Sequence, residues 1–289
     1  MIETKLTHKN KKVSIRRDAP TVIIGERINP TGRKEVLAAL EAGDFESVRR
    51  DALAQIEAGA TVLDINAGVP GADETVLLEK IMREVMSVTD VPLCIDTANP
   101  KALEAALKLY EGKPLVNSVN GEEKSLDAVL PLVKEYGAAV IGLCIDSNGI
   151  PVSPEERVAV AERIIGRATQ LGIPIEDIVI DPLAMAMSAD HKAGWVTLET
   201  IKLIVQEFGV NITMGASNVS FGLPDRKYVN AAYVAMAIQA GLTCPITNPL
   251  VTEINTAILA ADLALGRDEF SMRWIKAYRK RNKGAGEKR

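Results

Sequence analysis

Eight short apolar runs, each rich in β-branched residues and each separated from the next by a longer stretch of helical period, constrain this chain most. They are TVIIGE (21–26), TVLDIN (61–66), PLCID (92–96), PLVNSV (114–119), AVIGLCID (139–146), DIVID (177–181), NITMGA (211–216) and CPITN (244–248). Helical patterns fill 73–88, 100–110, 124–136, 154–171, 197–207, 226–240 and 252–265. Asn99-Pro100 and Ser153-Pro154 read as helix starts, and Gly172 and Gly209 as helix stops. Strands alternating with helices imply parallel pairing. Eight such units predict a single (β/α)8 TIM barrel, and 289 residues suit one.

Composition narrows the class. The hydrophobic fraction of 47% supports a large core, and aromatics at 4% make that core aliphatic. No apolar run reaches the roughly 18 residues of a membrane span, nor does the first segment read as a secretory signal, so a cytoplasmic location with no membrane association is expected. The net charge of −4 hides basic ends: residues 1–17 hold six Lys/Arg and 273–289 hold eight. Each end carries one Glu, which leaves 20 basic and 36 acidic residues between them. A body so acidic is a poor nucleic-acid surface. The expected division is a basic extension over 1–19, a barrel over 20–266 and a basic helix or tail over 267–289, with solvated, frayed ends. Cys94, Cys144 and Cys244 lie inside apolar runs at spacings that suit neither a disulfide framework nor a metal site, and the chain has two histidines, so no bound metal is expected.

The strand ends carry the chemistry. In chain order they bear Glu26 with Asn29, Asp64 with Asn66, Asp96, Asn117 with Asn120, Asp146, Asp181, Ser217 with Asn218, and Asn248. These positions open on the face where barrel active sites form. Each residue type also caps helices and shapes turns, and that reading stays open for any one of them. Taken together, they describe a pocket of carboxylates and amides with little cationic character. Phosphate is disfavoured there. A planar heterocycle with an amidine-like edge, of the pterin or purine kind, suits it better, since such an edge gives two parallel hydrogen bonds to one carboxylate.

IGERINPTG (24–32), LDINAG (63–68), CIDTANP (94–100), VNSVNGE (116–122), DPL (181–183), SNVSFGLP (217–224) and TNPL (247–250) resemble the motifs of the pterin-binding methyltransferases. More narrowly, the chain resembles the methyltetrahydrofolate:corrinoid-protein methyltransferases, from about residue 20 to about 266, with the motifs in order. The resemblance implies that Asp96, Asn117 and Asp181 hold the pyrimidine edge of a tetrahydrofolate substrate. It implies that Asn218 hydrogen-bonds N5, the methyl-bearing nitrogen, with Ser217 beside it. Asp64 and Asn120 are implied near the ring, and Glu26, Asn29, Asn66, Asp146, Asn248 and Met185 are secondary candidates.

The corrinoid is expected on a partner protein. The nearest approach to the family's corrinoid motif is ADHKAG (189–194), with Ala189 in place of Asp, so His191 reads as a loop histidine. A homodimer is expected as well, the Ala-rich 231–240 helix permitting close packing against a second subunit, although a tight internal contact explains it equally. Dihydropteroate synthase, on the same barrel, is the alternative enzyme. It brings cations to the loop where this chain has Asn218 and Val219. A non-catalytic pterin-binding subunit is the other alternative.

Overall fold

In the computed structural model, described for residues 1–30, 34–69 and 71–286, two antiparallel strands come first: β1 (Thr4–His8) and β2 (Lys11–Ile15). The barrel then runs β3 (Ile24–Ile28), α1 (Lys34–Glu41), α2 (Glu46–Glu57), β4 (Val62–Asn66), α3 (Glu74–Val88), β5 (Leu93–Asp96) and α4 (Pro100–Leu109). A two-residue β6 (Gly112–Lys113) precedes β7 (Leu115–Asn120), α5 (Glu123–Tyr136), β8 (Ala139–Leu143), α6 (Pro154–Gln170), β9 (Ile178–Asp181) and α7 (Ala193–Glu207). β10 (Asn211–Gly215), α8 (Arg226–Ala240), β11 (Cys244–Thr247), α9 (Thr252–Ala264) and α10 (Met272–Gly286) complete it.

Strands β3, β4, β5, β7, β8, β9, β10 and β11 pair in parallel and close into the expected barrel. The expected helix starts hold: the Asn99 side chain accepts the Lys101 N–H, and Ser153 forms a capping box with Glu156. Helices α1 and α2 were not among the expected elements, and the run assigned to 139–146 stops at Leu143.

The N-terminal stretch is not frayed, which corrects the expectation. β1 and β2 form a hairpin that takes β6 as a third strand. Leu6 and Ile15 are fully buried, in one cluster with Val22, Ile24, Val62, Cys94, Leu115, Val179 and Cys244 from the barrel interior. The hairpin is therefore the barrel's floor. Asn211 at the base of β10 locks it, donating to the Thr4 hydroxyl and the Ile15 carbonyl, each at 2.9 Å. Lys5 and Lys12 sit on the hairpin's outer positions, as period-two alternation dictates, and Lys11 is exposed at the start of β2.

The C-terminal helix docks too. Arg273 bonds the buried Asp262 at 2.9 Å, and Lys280 caps the Glu57 carbonyl at 2.7 Å. The three cysteines are free and buried. No described helix is long and apolar enough to cross a membrane.

Candidate active site

The floor cluster fixes what lies above it. Ile24, Val62, Cys94, Leu115, Val179 and Ile246 fill the barrel's interior. Because strand side chains alternate, the residue two further along each strand faces the same interior, one layer up. Those residues are Glu26, Asp64, Asp96, Asn117, Asp181 and Asn248, and all six line one cavity of about 470 Å³ at the C-terminal mouth. Arg27, Asn29, Gly215, Ser217, Asn218 and Ile246 complete its wall.

The same counting excludes Asp146. On β8 the residue two beyond the interior Ile141 is Leu143, where the strand ends. Asp146 lies in the loop that follows, accepting the Asn148 N–H at 2.9 Å and facing Arg163 at 3.4 Å. Met185 is also outside the cavity wall, on the loop after β9 and 37% exposed. Asn120 lines a neighbouring cavity of about 420 Å³ between α4 and α5, which shares Asp96 and Asn117 with the first.

Hydrogen bonds divide the polar residues into two kinds. Asn66, Asn120, Asp181 and Asn248 each accept the backbone N–H two residues ahead, as a turn-shaping residue does. For these the modest reading holds, although Asp181 still faces the cavity and Asn66 also donates to Asp96 Oδ2 at 2.9 Å. Asp64, Asp96 and Asn117 instead bond neighbours across the sheet. Asn117 Nδ2 donates to Asp64 Oδ1 at 3.2 Å, and register places Asn66 beside Asp96 and Asp96 beside Asn117. Asn218 forms neither type of bond: its amide has no hydrogen-bond partner among the described residues and is exposed at the cavity's edge. An Asx turn therefore does not account for it.

The backbone around Asn218 is held firmly. Residues 218–220 form one 3₁₀ turn, and Arg226 from α8 donates to the Ser217 carbonyl at 2.8 Å and the Ser220 hydroxyl at 3.0 Å. Ser188 Oγ and the Met187 N–H tie the loop after β9 to the Phe221 and Val219 carbonyls. Gly215 leaves room below: a Cβ there would lie 3.0 Å from Asn218 Nδ2.

Three supporting residues were not singled out from the sequence. Arg157, 3% exposed on α6, donates to the Pro182 and Leu183 carbonyls at 2.8 and 2.7 Å, and Leu183 adopts φ 65°. That left-handed residue sits directly after the Asp-Pro turn, so the buried guanidinium holds the turn that aims Asp181. Gln55, fully buried on α2, accepts the Arg27 N–H at 2.9 Å where the β3–β4 register shifts. The bulge takes Glu26 and Arg27 out of the β3–β4 pairing, and both line the mouth cavity. Arg226 is the third. An Arg on the apolar stripe of α6 was the one legible signal among them. Thr31 and Gly32 of the first motif lie outside the described residues.

Burial dominates the electrostatics. It pushes Asp181 up to about 7 against the pull of the Leu183 and Gly215 N–H groups, and Glu26 up to about 7 against Ser217 and Arg226. Burial also raises Asp64, with the neighbouring Asp96 charge adding to the effect, and raises Asp96. The cavity therefore carries less negative charge at neutrality than four carboxylates suggest. It favours a neutral ligand that supplies N–H donors.

A barrel whose mouth presents carboxylates and amides to a flat, donor-rich ring is the architecture of a pterin site. Residues 25–248 match the family described as pterin binding enzyme, and the chain belongs to that family. Over 266 residues it is 33% identical to the methylcorrinoid:tetrahydrofolate methyltransferase of Eubacterium limosum, covering 89% of this chain and 96% of that one. It is 30% identical over 244 residues to the methionine synthase of Mycobacterium tuberculosis, covering 80% of this chain but 20% of that one. Among solved structures it resembles the dihydropteroate synthase of Coxiella burnetii with pteroic acid (TM-score 0.69, 18% identity, 91% and 99% coverage). The Xanthomonas albilineans dihydropteroate synthase with 7,8-dihydropteroate gives a TM-score of 0.63 at 22% identity, covering 87% of this chain and 95% of that one. Identity that low speaks to the shared barrel alone.

Proposed function

We propose that this chain transfers a methyl group between N5 of a tetrahydrofolate and the cobalt of a corrinoid presented by a partner protein. The observation that carries the reading is the Asp64–Asp96–Asn117–Asp181 wall facing an unengaged Asn218 amide, in a loop with no cation from 217 to 220. Asp96, Asn117 and Asp181 would bond the ring's N–H edge, and Asn218 would face N5. The methyltransferase relative, matched along nearly its whole length, supports this over a synthase.

In the forward direction the N5–CH3 bond breaks and the Co–CH3 bond forms with the electron pair of Co(I), giving Co(III). N5 keeps the C–N pair and must end bearing a proton. An amide can accept from protonated N5 or donate to the free nitrogen, so Asn218 stabilises the change of charge in either direction. Tight binding of both states alone would not accelerate the step. Phe221, next to the 218–220 turn, is exposed, an apolar side chain suited to a docked corrin face.

We also read the protein as a cytoplasmic homodimer, with Tyr228, Ala232 and Met236 exposed along one face of α8. Sedimentation of the purified chain tests the dimer. The function is tested by mixing the protein with methyltetrahydrofolate and Co(I) cobalamin and following the cobalt absorbance. Methylcobalamin is the expected product, and pterin binding without it would leave the non-catalytic alternative standing.

A further inference from the structure

Methyl transfer from N5 needs a proton, and Asn218, an amide, has none to give. We propose that Glu26 stores this proton, delivering it to N5 as the methyl group leaves and taking it back in the reverse direction; the proposal rests on the methyl-transfer reading above.

The geometry singles out Glu26. It stands on β3, two strands from β10 around the barrel, yet its Oε1 meets Ser217 Oγ at 3.4 Å, one residue from Asn218. Of the carboxyls lining the cavity, it is the one bonded to the 217–220 loop. Its partners also include a hydroxyl. Asp96 and Asp181 are held by amide N–H groups, and Asp64 by an amide N–H and the Cys94 thiol, all of which favour the ionised acid. Glu26 takes the Asn248 backbone N–H in the same way but adds Ser217. The Ser217 hydroxyl can donate to a carboxylate or accept from a carboxylic acid, so it serves both protonation states of Glu26.

The groups around Glu26 set its balance. Arg226 from α8 and the Asn248 backbone just after β11 favour the ionised form, while burial opposes it. Asp64 from β4 faces it as a like charge, and Arg27, with Asp96 and Asp181, shares the cavity wall. The outcome is a carboxyl pushed up to about 7, where both forms are populated at neutrality. The proton balance closes: Glu26–COOH gives its proton to N5, the C–N pair stays on N5 as the methyl departs to cobalt, and Glu26 is left ionised. In reverse, the N5 proton returns to Glu26–COO⁻ as N5 takes the methyl group.

The test uses the full chain, methyltetrahydrofolate with free Co(I) cobalamin forward, and methylcobalamin with tetrahydrofolate in reverse. The forward rate of the native protein should fall as pH rises through about 7, and the reverse rate should rise through the same window. Glu26→Gln should lower the forward rate at pH 6 about 100-fold and flatten both profiles, with pterin affinity held within about threefold. Glu26→Asp should keep a limb in both profiles at reduced rate, which serves if the Gln variant does not fold. Glu26→Gln with native rates and native profiles would overturn the proposal, and so would a loss accounted for entirely by weaker pterin binding. Native protein that binds pterin but transfers no methyl group would instead overturn the parent reading, and this one with it.

Discussion

Replacing Asp181 by Asn should stabilise the ligand-free protein above neutral pH while damaging its site. Asp181 ends β9, is 6% exposed, and accepts the Leu183 N–H at 2.7 Å. Burial raises it from the ordinary 3.8 to about 7. An acid with a higher value folded than unfolded binds its proton more tightly in the native state. Its contribution is thus fully present below about pH 4 and is lost as pH rises towards 7. At about 1.4 kcal/mol per pH unit over that window, ionised Asp181 costs the native state about 4 kcal/mol at most. Asn keeps an oxygen for the Leu183 N–H and cannot ionise. Urea unfolding followed by circular dichroism at several pH values would then give equal stabilities near pH 4 and a variant more stable by about 3 kcal/mol at pH 8. The other raised carboxyls, Glu26, Asp64, Asp96 and Asp177, are common to both proteins and cancel. A stability difference that does not change between pH 4 and 8, or that favours the native protein at pH 8, would refute the reasoning. The gain at the expense of binding is the trade expected where an active site keeps a group in an unfavourable medium.

Asn218→Ala should lower methyl transfer about 100-fold while leaving pterin affinity nearly intact if, as proposed, the amide acts on the changing charge at N5; rates and calorimetric affinities separate the two. Gly215→Ala places a methyl group 3.0 Å from Asn218 Nδ2 and should cost about tenfold in rate with normal folding. Asn117→Ala should instead weaken pterin binding by about 10- to 100-fold, since it removes the proposed ring contact and the N–H that Asp64 accepts; calorimetry reads this directly. Leu6→Ala opens a void in the barrel floor and should lower stability by about 2–5 kcal/mol in urea unfolding, without altering pterin affinity.

The barrel and most of its cavity wall were legible because both follow from one periodicity. The β-branched runs marked the strands, and the step of two from Cys94 to Asp96, or from Val179 to Asp181, carried the polar residues inward. What misled was identity without register. Residues 94–96 and 144–146 read alike as Cys-Ile-Asp, yet β5 includes its aspartate and β8 ends at Leu143. Where a parallel strand stops is set by its neighbours, here β7 and β9, and the tripeptide carries no record of them.

The hairpin floor was hidden by its lysines. The alternation of Leu6, Val13 and Ile15 is visible in hindsight, but charge on the outer positions resembles a solvated tail until a barrel needs closing. Arg157, Gln55 and Arg226 act through long-range contacts to carbonyls and N–H groups, a role that residue type alone does not announce.

The central claim is that this cavity binds a folate so that its N5 methyl group can pass to cobalt. Its most direct measurement is the absorbance of free Co(I) cobalamin on mixing with the protein and methyltetrahydrofolate, run beside the Asn218→Ala variant. Conversion to methylcobalamin by the native protein, slowed about 100-fold in the variant at saturating pterin, is the expected result. Saturating pterin with no change at cobalt, in this direction or from methylcobalamin in reverse, would contradict it.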